Sequence, residues 1–393
     1  MKLNKWTVAL ASAGVVSLAS AVQAEERAMH QVATAVSATT LGGYVDTSAI
    51  WKFGTGTDSG AAGSEALPGR AFDGTGKTDG FNLHVVGLTL ERPLGAEDWA
   101  AGYRVDLLFG PDAVAYNPSA NGDSTSDFGI KQAYVNLLLP AGNGIDVKMG
   151  VFNTIIGYES FESYLNPNFS RSFGWQLEPT QHTGVLASYQ LSEALSVSGG
   201  VANTWSSGIN ARSPRAESHK AYMASIALTA PDSMGFMSGS SLYAGVVDGF
   251  SGNGKDTVSA YVGGSILTPI EGLGLGAAFD YRWDGNNGVT FNSNWAYAIA
   301  GYATFQATEK LKFAGRVDYT TGSDGTFFDA GTQGISDEQN ELFSFTATAE
   351  YALWANVITR AEFRWDNCLS DDKPYGRSDE NALTLAANVI FKF

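Results

Sequence analysis

Leu273–Asp284 reads LGLGAAFDYRWD and alternates without a break. Leu273, Leu275, Ala277, Phe279, Tyr281 and Trp283 share one parity, and Gly274, Gly276, Ala278, Asp280, Arg282 and Asp284 share the other. Successive side chains of a strand point to opposite faces, so this segment has one apolar face and one that is small or charged. Gly272, Gly274 and Gly276 superficially match a dinucleotide fingerprint, but that motif needs a helix to follow, and here the alternation simply continues.

The same reading applies to 310–319, 356–366 and 383–393. Extended along the chain, it gives about sixteen strands between 41 and 393, each near the length that a tilted strand needs to cross a bilayer. In 81–92 the apolar set changes parity near Gly87, which predicts a bulge. The strands beginning near Asp127 and His219 are apolar on both parities. Short connections (93–98, 140–144, 192–194, 230–238, 268–271, 307–309, 354–355) alternate with long polar ones (54–80, 111–126, 155–181, 321–340, 367–380). This is the rhythm of an up-and-down barrel with periplasmic turns and extracellular loops. Trp51, Trp205, Trp283, Tyr319 and Trp365 end outward-running strands and Trp295 begins an inward-running one, while Trp99, Phe391 and Phe393 fall at the opposite rim, as aromatic belts at two membrane interfaces would. A soluble sandwich also alternates but has no reason to level its tryptophans. The fold expected is therefore all-β, a transmembrane antiparallel up-and-down barrel.

Composition agrees with export. Of 393 residues 44% are hydrophobic and only 16% charged, and one cysteine, Cys368, excludes a disulfide framework or a multi-cysteine metal site. A net charge of −16 gives no basic footprint for nucleic acid. Lys2 and Lys5, the apolar run from Trp6 to Ala19 and the small residues of Val22-Gln23-Ala24 predict a Sec signal peptide over 1–24, cut after Ala24. Residues 25–40 are then an N-terminal periplasmic segment and 41–393 the barrel. No later apolar run reaches the length of a membrane-spanning helix.

A closed sheet of this size encloses water, so the polar parity lines a lumen. There the clean strands place Arg104 and Asp106, Asp280 and Arg282, Arg316 and Asp318, and Arg360, Glu362 and Arg364. These residues are either a self-neutralised wall or a charged constriction that sorts solutes by size and sign. The long aromatic connection 155–181 is expected to bend inward and narrow the pore, with Glu159, Glu162 and Arg171 facing wall residues such as Arg316, Arg360 and Arg364; an ordered outer cap is the alternative.

The region Gly150–Tyr189, GVFNTIIGYESFESYLNPNFSRSFGWQLEPTQHTGVLASY, resembles the signature of the OmpL-like β-barrel porin family of Gram-negative outer membranes. Gly157-Tyr158-Glu159, Asn166-Pro167-Asn168, Glu178-Pro179 and His182-Thr183-Gly184 carry the resemblance, and Arg171 departs from it. It extends from Leu41-Gly42-Gly43-Tyr44 to Phe393, and implies a porin with no catalytic residues.

Other motifs carry less. Ala71–Thr78 ends like a phosphate-binding loop but lacks the first glycine and the helix, and reads as an external loop. His30, His84, His182 and His219 lack metal-ligand spacing. Cys368 is placed in the last external loop as a free thiol. The sequence thus predicts a passive channel for small hydrophilic solutes, without turnover, cofactor or metal. Its partners are outer-membrane lipid and lipopolysaccharide, and a homo-oligomer such as a trimer stays open. A solute-specific channel, or a receptor or adhesin acting through its loops, are the alternatives.

Overall fold

The structure, a computed structural model, describes residues 32–33, 39–53, 67–116 except 96, 127–285 except 215 and 217, 294–328 except 324, and 339–393 except 377 and 378. The expected signal peptide lies outside the described residues, as does most of 25–40. Within 25–40, a two-residue strand β1 (Val32–Ala33) pairs with the start of β2 (Thr40–Phe53).

From β2 the chain runs up and down through β3 (Gly80–Arg92), β4 (Ala101–Phe109), β5 (Phe128–Leu139), β6 (Ile145–Asn153) and β7 (Gln181–Gln190). It continues through β8 (Leu195–Ala202), β9 (Ala221–Thr229), β10 (Ser241–Phe250), β11 (Asp256–Leu267) and β12 (Leu273–Asp284). The last strands are β13 (Asn294–Gln306), β14 (Leu311–Gly322), β15 (Asn340–Trp354), β16 (Val357–Cys368) and β17 (Asn381–Lys392). Every strand pairs antiparallel with its sequence neighbour, and β17 closes on β2, with Leu385 opposite Trp51. Gly43 and Phe393 exchange backbone hydrogen bonds of 2.8 and 2.9 Å, so the chain end is part of the seam. The sixteen strands β2–β17 are thus a closed barrel without edges, as backbone in lipid requires.

Burial is inverted relative to a water-soluble protein. Val317, Phe313, Ile299, Phe345 and Leu385 are exposed on the outer face, whereas Arg316 and Arg364 are each 1% exposed and are among the largest fully buried side chains. Hydrocarbon outside and polar partners inside make this the favourable arrangement. Near the outer rim Trp283 pairs with Trp295, and Trp295, Tyr297 and Tyr319 lie ring to ring at 6.1 and 6.3 Å. Trp205 does not join this belt. It lies beyond the end of β8, buried, with the Arg282 guanidinium 4.5 Å from its ring. Among the outer connections, 251–255 is short, a departure from the alternation.

Two bulges re-aim side chains inward. The register of β2 and β3 slips between Asp46 and Thr47, leaving consecutive His84 and Val85 both buried; it falls three residues before the parity change expected near Gly87. A second, between β4 and β5, leaves Lys131 and Gln132 both buried and explains why that strand reads as two-faced. Cys368 is the last residue of β16 and buried, not in a loop.

The outward parity of β14 tests the inversion directly. Val317→Arg, mid-strand on the lipid face, is expected to destabilise the barrel by about 2–4 kcal/mol, read as a lower urea midpoint in phospholipid vesicles; Val317→Leu should leave the midpoint unchanged.

Candidate functional site: the lumen and the 155–181 segment

The chain leaves β6 at the outer end and re-enters the barrel. Of the residues between β6 and β7, most are buried, and they lie against inward-facing side chains rather than above the rim. The segment forms two short 3-10 turns, Ser163–Leu165 and Phe173–Leu177, because Pro167 and Pro179 interrupt any longer helix.

One side of the wall holds it by charge. Arg316 reaches Glu159 at 2.9 Å and Asp318 at 3.0 Å, and also donates to the carbonyls of Ser170 (2.7 Å) and Arg171 (3.1 Å). Arg360 pairs with Glu350 at 2.6 Å and donates to the carbonyls of Ser163 and Asn166 at 2.7 and 3.1 Å. Arg364 pairs with Asp366 at 2.7 Å and donates to the Arg171 carbonyl at 2.6 Å. Acids receive the amides: Glu362 accepts from the Phe169 and Ser170 N–H groups at 2.6 and 2.9 Å, and Asp318 from Phe173 at 3.0 Å. On β2, Asp46 accepts from the Ser163 hydroxyl at 2.5 Å.

The adjoining arc, β10 to β13, holds it with neutral groups. The Tyr243 hydroxyl donates to the Ile155 carbonyl, and Ser259 donates to that of Leu177 at 3.0 Å. Tyr158 stacks on Tyr302 with ring centroids 4.2 Å apart. Ile155, Ile156 and Tyr158 join an apolar cluster with Leu186, Met223 and Tyr261. Glu178 lies within hydrogen-bonding reach of Asp280, and burial, then the negative charge of Asp280, pushes its carboxyl well above the usual carboxylate range.

The expected residues are thereby placed. Glu159 does face Arg316, as anticipated. Glu162 faces Lys131 instead, at 2.5 Å, because the β5 bulge turns that lysine inward. Arg171 does not face the wall. Its guanidinium donates to the carbonyls of Ser160, Phe169 and Phe161 within its own segment, and lies over the rings of Phe72 and Trp175. Arg104 and Asp106 pair at 2.9 Å with Gln132 also bonded to Asp106, on β4 and apart from the arginines of β14 and β16. Arg282 pairs with Asp284 at 2.9 Å above the segment's attachment.

Arg70 has no sequence signal. From the connection after β2 it enters the lumen and binds Asp366 at 2.6 Å and Asp73 at 2.5 Å. Burial would raise the Asp73 carboxyl, but the Arg70 guanidinium beside it holds it below the usual range. Another unforeseen group is Ser48, His84 and Asp112, which approach a hydrolase triad: Ser48 Oγ is 2.6 Å from His84 Nε2, and Asp112 is 3.4 Å from Nδ1. The Lys77 ammonium, from the phosphate-loop look-alike, lies 2.8 Å from that Nδ1. An ammonium only donates, so Nδ1 accepts and the ring proton sits on Nε2. His84 then donates to Ser48 and does not take its proton, which is a structural arrangement and not an activated nucleophile. His182, also inward, is fully buried with Nε2 3.1 Å from Thr154 Oγ1. Among the described residues no group of three metal-binding side chains occurs.

Removing Arg316 leaves Glu159 and Asp318 buried without their cation. Arg316→Met is expected to cost about 3–5 kcal/mol and to expose 155–181 to limited proteolysis, while the double variant Arg316→Met/Glu159→Gln should recover part of the loss.

Solved structures share the architecture. The outer membrane channel DcaP of Acinetobacter baumannii matches with a TM-score of 0.56 at 14% identity, covering 90% of this chain and 97% of that one. An anion-selective porin from Comamonas acidovorans matches at 0.57 and 12%, covering 90% and 99%. OmpF of Salmonella typhi, solved with daunomycin, matches at 0.57 and 15%, covering 90% and 97%. No curated protein matches the chain. At these identities the likeness establishes the fold. The family model described as "Putative beta-barrel porin-2, OmpL-like" matches residues 38–393, and the chain belongs to that family of porins.

Proposed function

We propose that this outer-membrane porin passes small hydrophilic solutes by diffusion and that residues 155–181 set the width of its passage. The observation that carries this reading is the attachment of the segment across the lumen, through Lys131 of β5 on one side and, on the far side, the continuous arc from Tyr243 of β10 through Tyr302 of β13 to Arg316, Arg360 and Arg364 of β14 and β16.

The same contacts bear on selectivity. Arg104, Arg282, Arg316, Arg360 and Arg364 each have a carboxylate within 3.0 Å. Paired charges present little net field to a passing ion, so the passage sorts by width more than by sign. Export by the 1–24 signal peptide and assembly as a homo-oligomer complete the proposal; the former follows from the leader-like start of the chain.

Single-channel recording in planar bilayers tests it. Deleting Tyr158–Ser172 is expected to raise conductance with no change in the barrel's heat-modifiable migration. Unchanged conductance would remove the constriction role, block by one solute class would make the pore solute-specific, and no current from either protein would favour a receptor or adhesin.

A further inference from the structure

The lumen has two unlike halves. The inward faces of β7–β11 carry no charged residue; Ser188 and Ser198 bond each other at 2.8 Å, and Ser241 and Ser265 at 3.1 Å. Against that half the segment has no arginine to hold it. Its carboxyl–carboxyl contact, Glu178 with Asp280, stands at the boundary, where the uncharged half ends at β12.

Three glycines make this contact close. The Glu178 carboxylate lies 2.1 Å from where a Cβ on Gly157 would stand, and Gly157 has a φ of +115°. Asp280 Oδ2 lies 2.3 Å from the corresponding point on Gly174, and the Tyr158 hydroxyl 2.1 Å from that on Gly276. The approaches at Gly174 and Gly276 join segment to wall, and that at Gly157 lies within the segment.

Two buried carboxyl groups in contact need a positive charge between them. No salt bridge joins either to a lysine or arginine among the described residues. Every group facing the pair is acidic, phenolic or already engaged. On the segment these are Glu159, bound to Arg316, and Tyr158. From β11 comes Tyr261, whose hydroxyl has no partner. From β14 come Arg316 and Asp318, bound to each other. Asp280 Oδ1 is also unpartnered and buried. Glu178 lines a small hollow of about 30 Å³ with Lys131, Glu159 and Glu162.

We propose that Glu178 and Asp280 share one proton, that this proton latches the segment to the edge of the uncharged half of the wall, and that its loss opens the passage on that side. The arginine side stays fixed and acts as the hinge. The linkage has one sign: burial and Asp280 raise the Glu178 carboxyl, so the latch is whole at low pH and is lost as pH rises through that raised value, when two carboxylates repel. Because a latch on a segment that narrows nothing would carry no current change, this inference rests on the porin reading above.

Two measurements separate their fates. In planar bilayers the wild-type conductance should increase as pH rises through the raised value of the Glu178 carboxyl, and Glu178→Gln and Asp280→Asn, whose amides hold a hydrogen bond at any pH, should stay low and flat. Infrared difference spectra taken across a pH titration should show a protonated-carboxyl band, persisting above the pH at which ordinary carboxyls have lost theirs, that is absent in Glu178→Gln, a readout independent of current. A steady wild-type current that ignores pH overturns the latch and leaves the porin. Absence of the carboxyl band overturns it even if no current flows at all. A pH response that vanishes with a divalent-cation chelator overturns it too, since the pair would then hold a metal ion.

Discussion

Irregular backbone inside a barrel has no neighbouring strand to pair with, so its buried N–H and C=O groups must be met by the wall. In this protein the arginines of β14 and β16 meet the carbonyls of Ser163, Asn166, Ser170 and Arg171. The carboxylates of Glu362 and Asp318 meet the amides of Phe169, Ser170 and Phe173. Each arginine is also paired to an acid on its own or the adjacent strand. That pairing matters mechanically. One edge of the planar guanidinium is fixed by the acid, and the remaining donors then point at fixed places in the lumen. The segment is shaped by where those donors point.

This clamp is uneven: apart from Glu162 on Lys131 of β5, the charged hold on the segment comes from β14 and β16, and the asymmetry gives the lumen its character. Charged groups bind strongly only when both partners stay put and buried, and removing either partner is costly. Tyrosine hydroxyls, a serine and a stacked ring pair on the adjoining arc form bonds of ordinary neutral strength. A segment held firmly at one edge and weakly at the other moves, if it moves, by lifting the weak edge. The small hydroxylated residues of β7–β11 leave room there, whereas the opposite wall is filled with paired ions.

The barrel itself is indifferent to these details. Identities of 12 to 15% with structures of the same architecture mean that very different sequences are carried on one sheet. What is kept is an apolar outer parity and complete backbone pairing, both demanded by lipid. The inner parity is free to vary, and function resides there.

The alternation of Leu273–Asp284 and its counterparts determined the barrel from sequence alone, because a period of two is a local property that needs no knowledge of distant residues. It also determined which charges face inward, since parity carries Arg316, Asp318, Arg360, Glu362 and Arg364 along with it. The length, aromatic content and prolines of 155–181 marked that segment as able to pack. Only the tertiary structure decided the partners. Glu162 meets Lys131 because a bulge at that lysine breaks the parity, and the blurred alternation it leaves does not say which residue turns inward. Arg171 turns back on its own segment because Phe72, from a connection a hundred residues away, supplies a ring beneath it. Glu178 reaches Asp280, and Arg70 reaches Asp366, by non-local approaches that require the barrel to close first. Periodicity fixes the face a side chain points to, whereas closure and loop path fix what it meets.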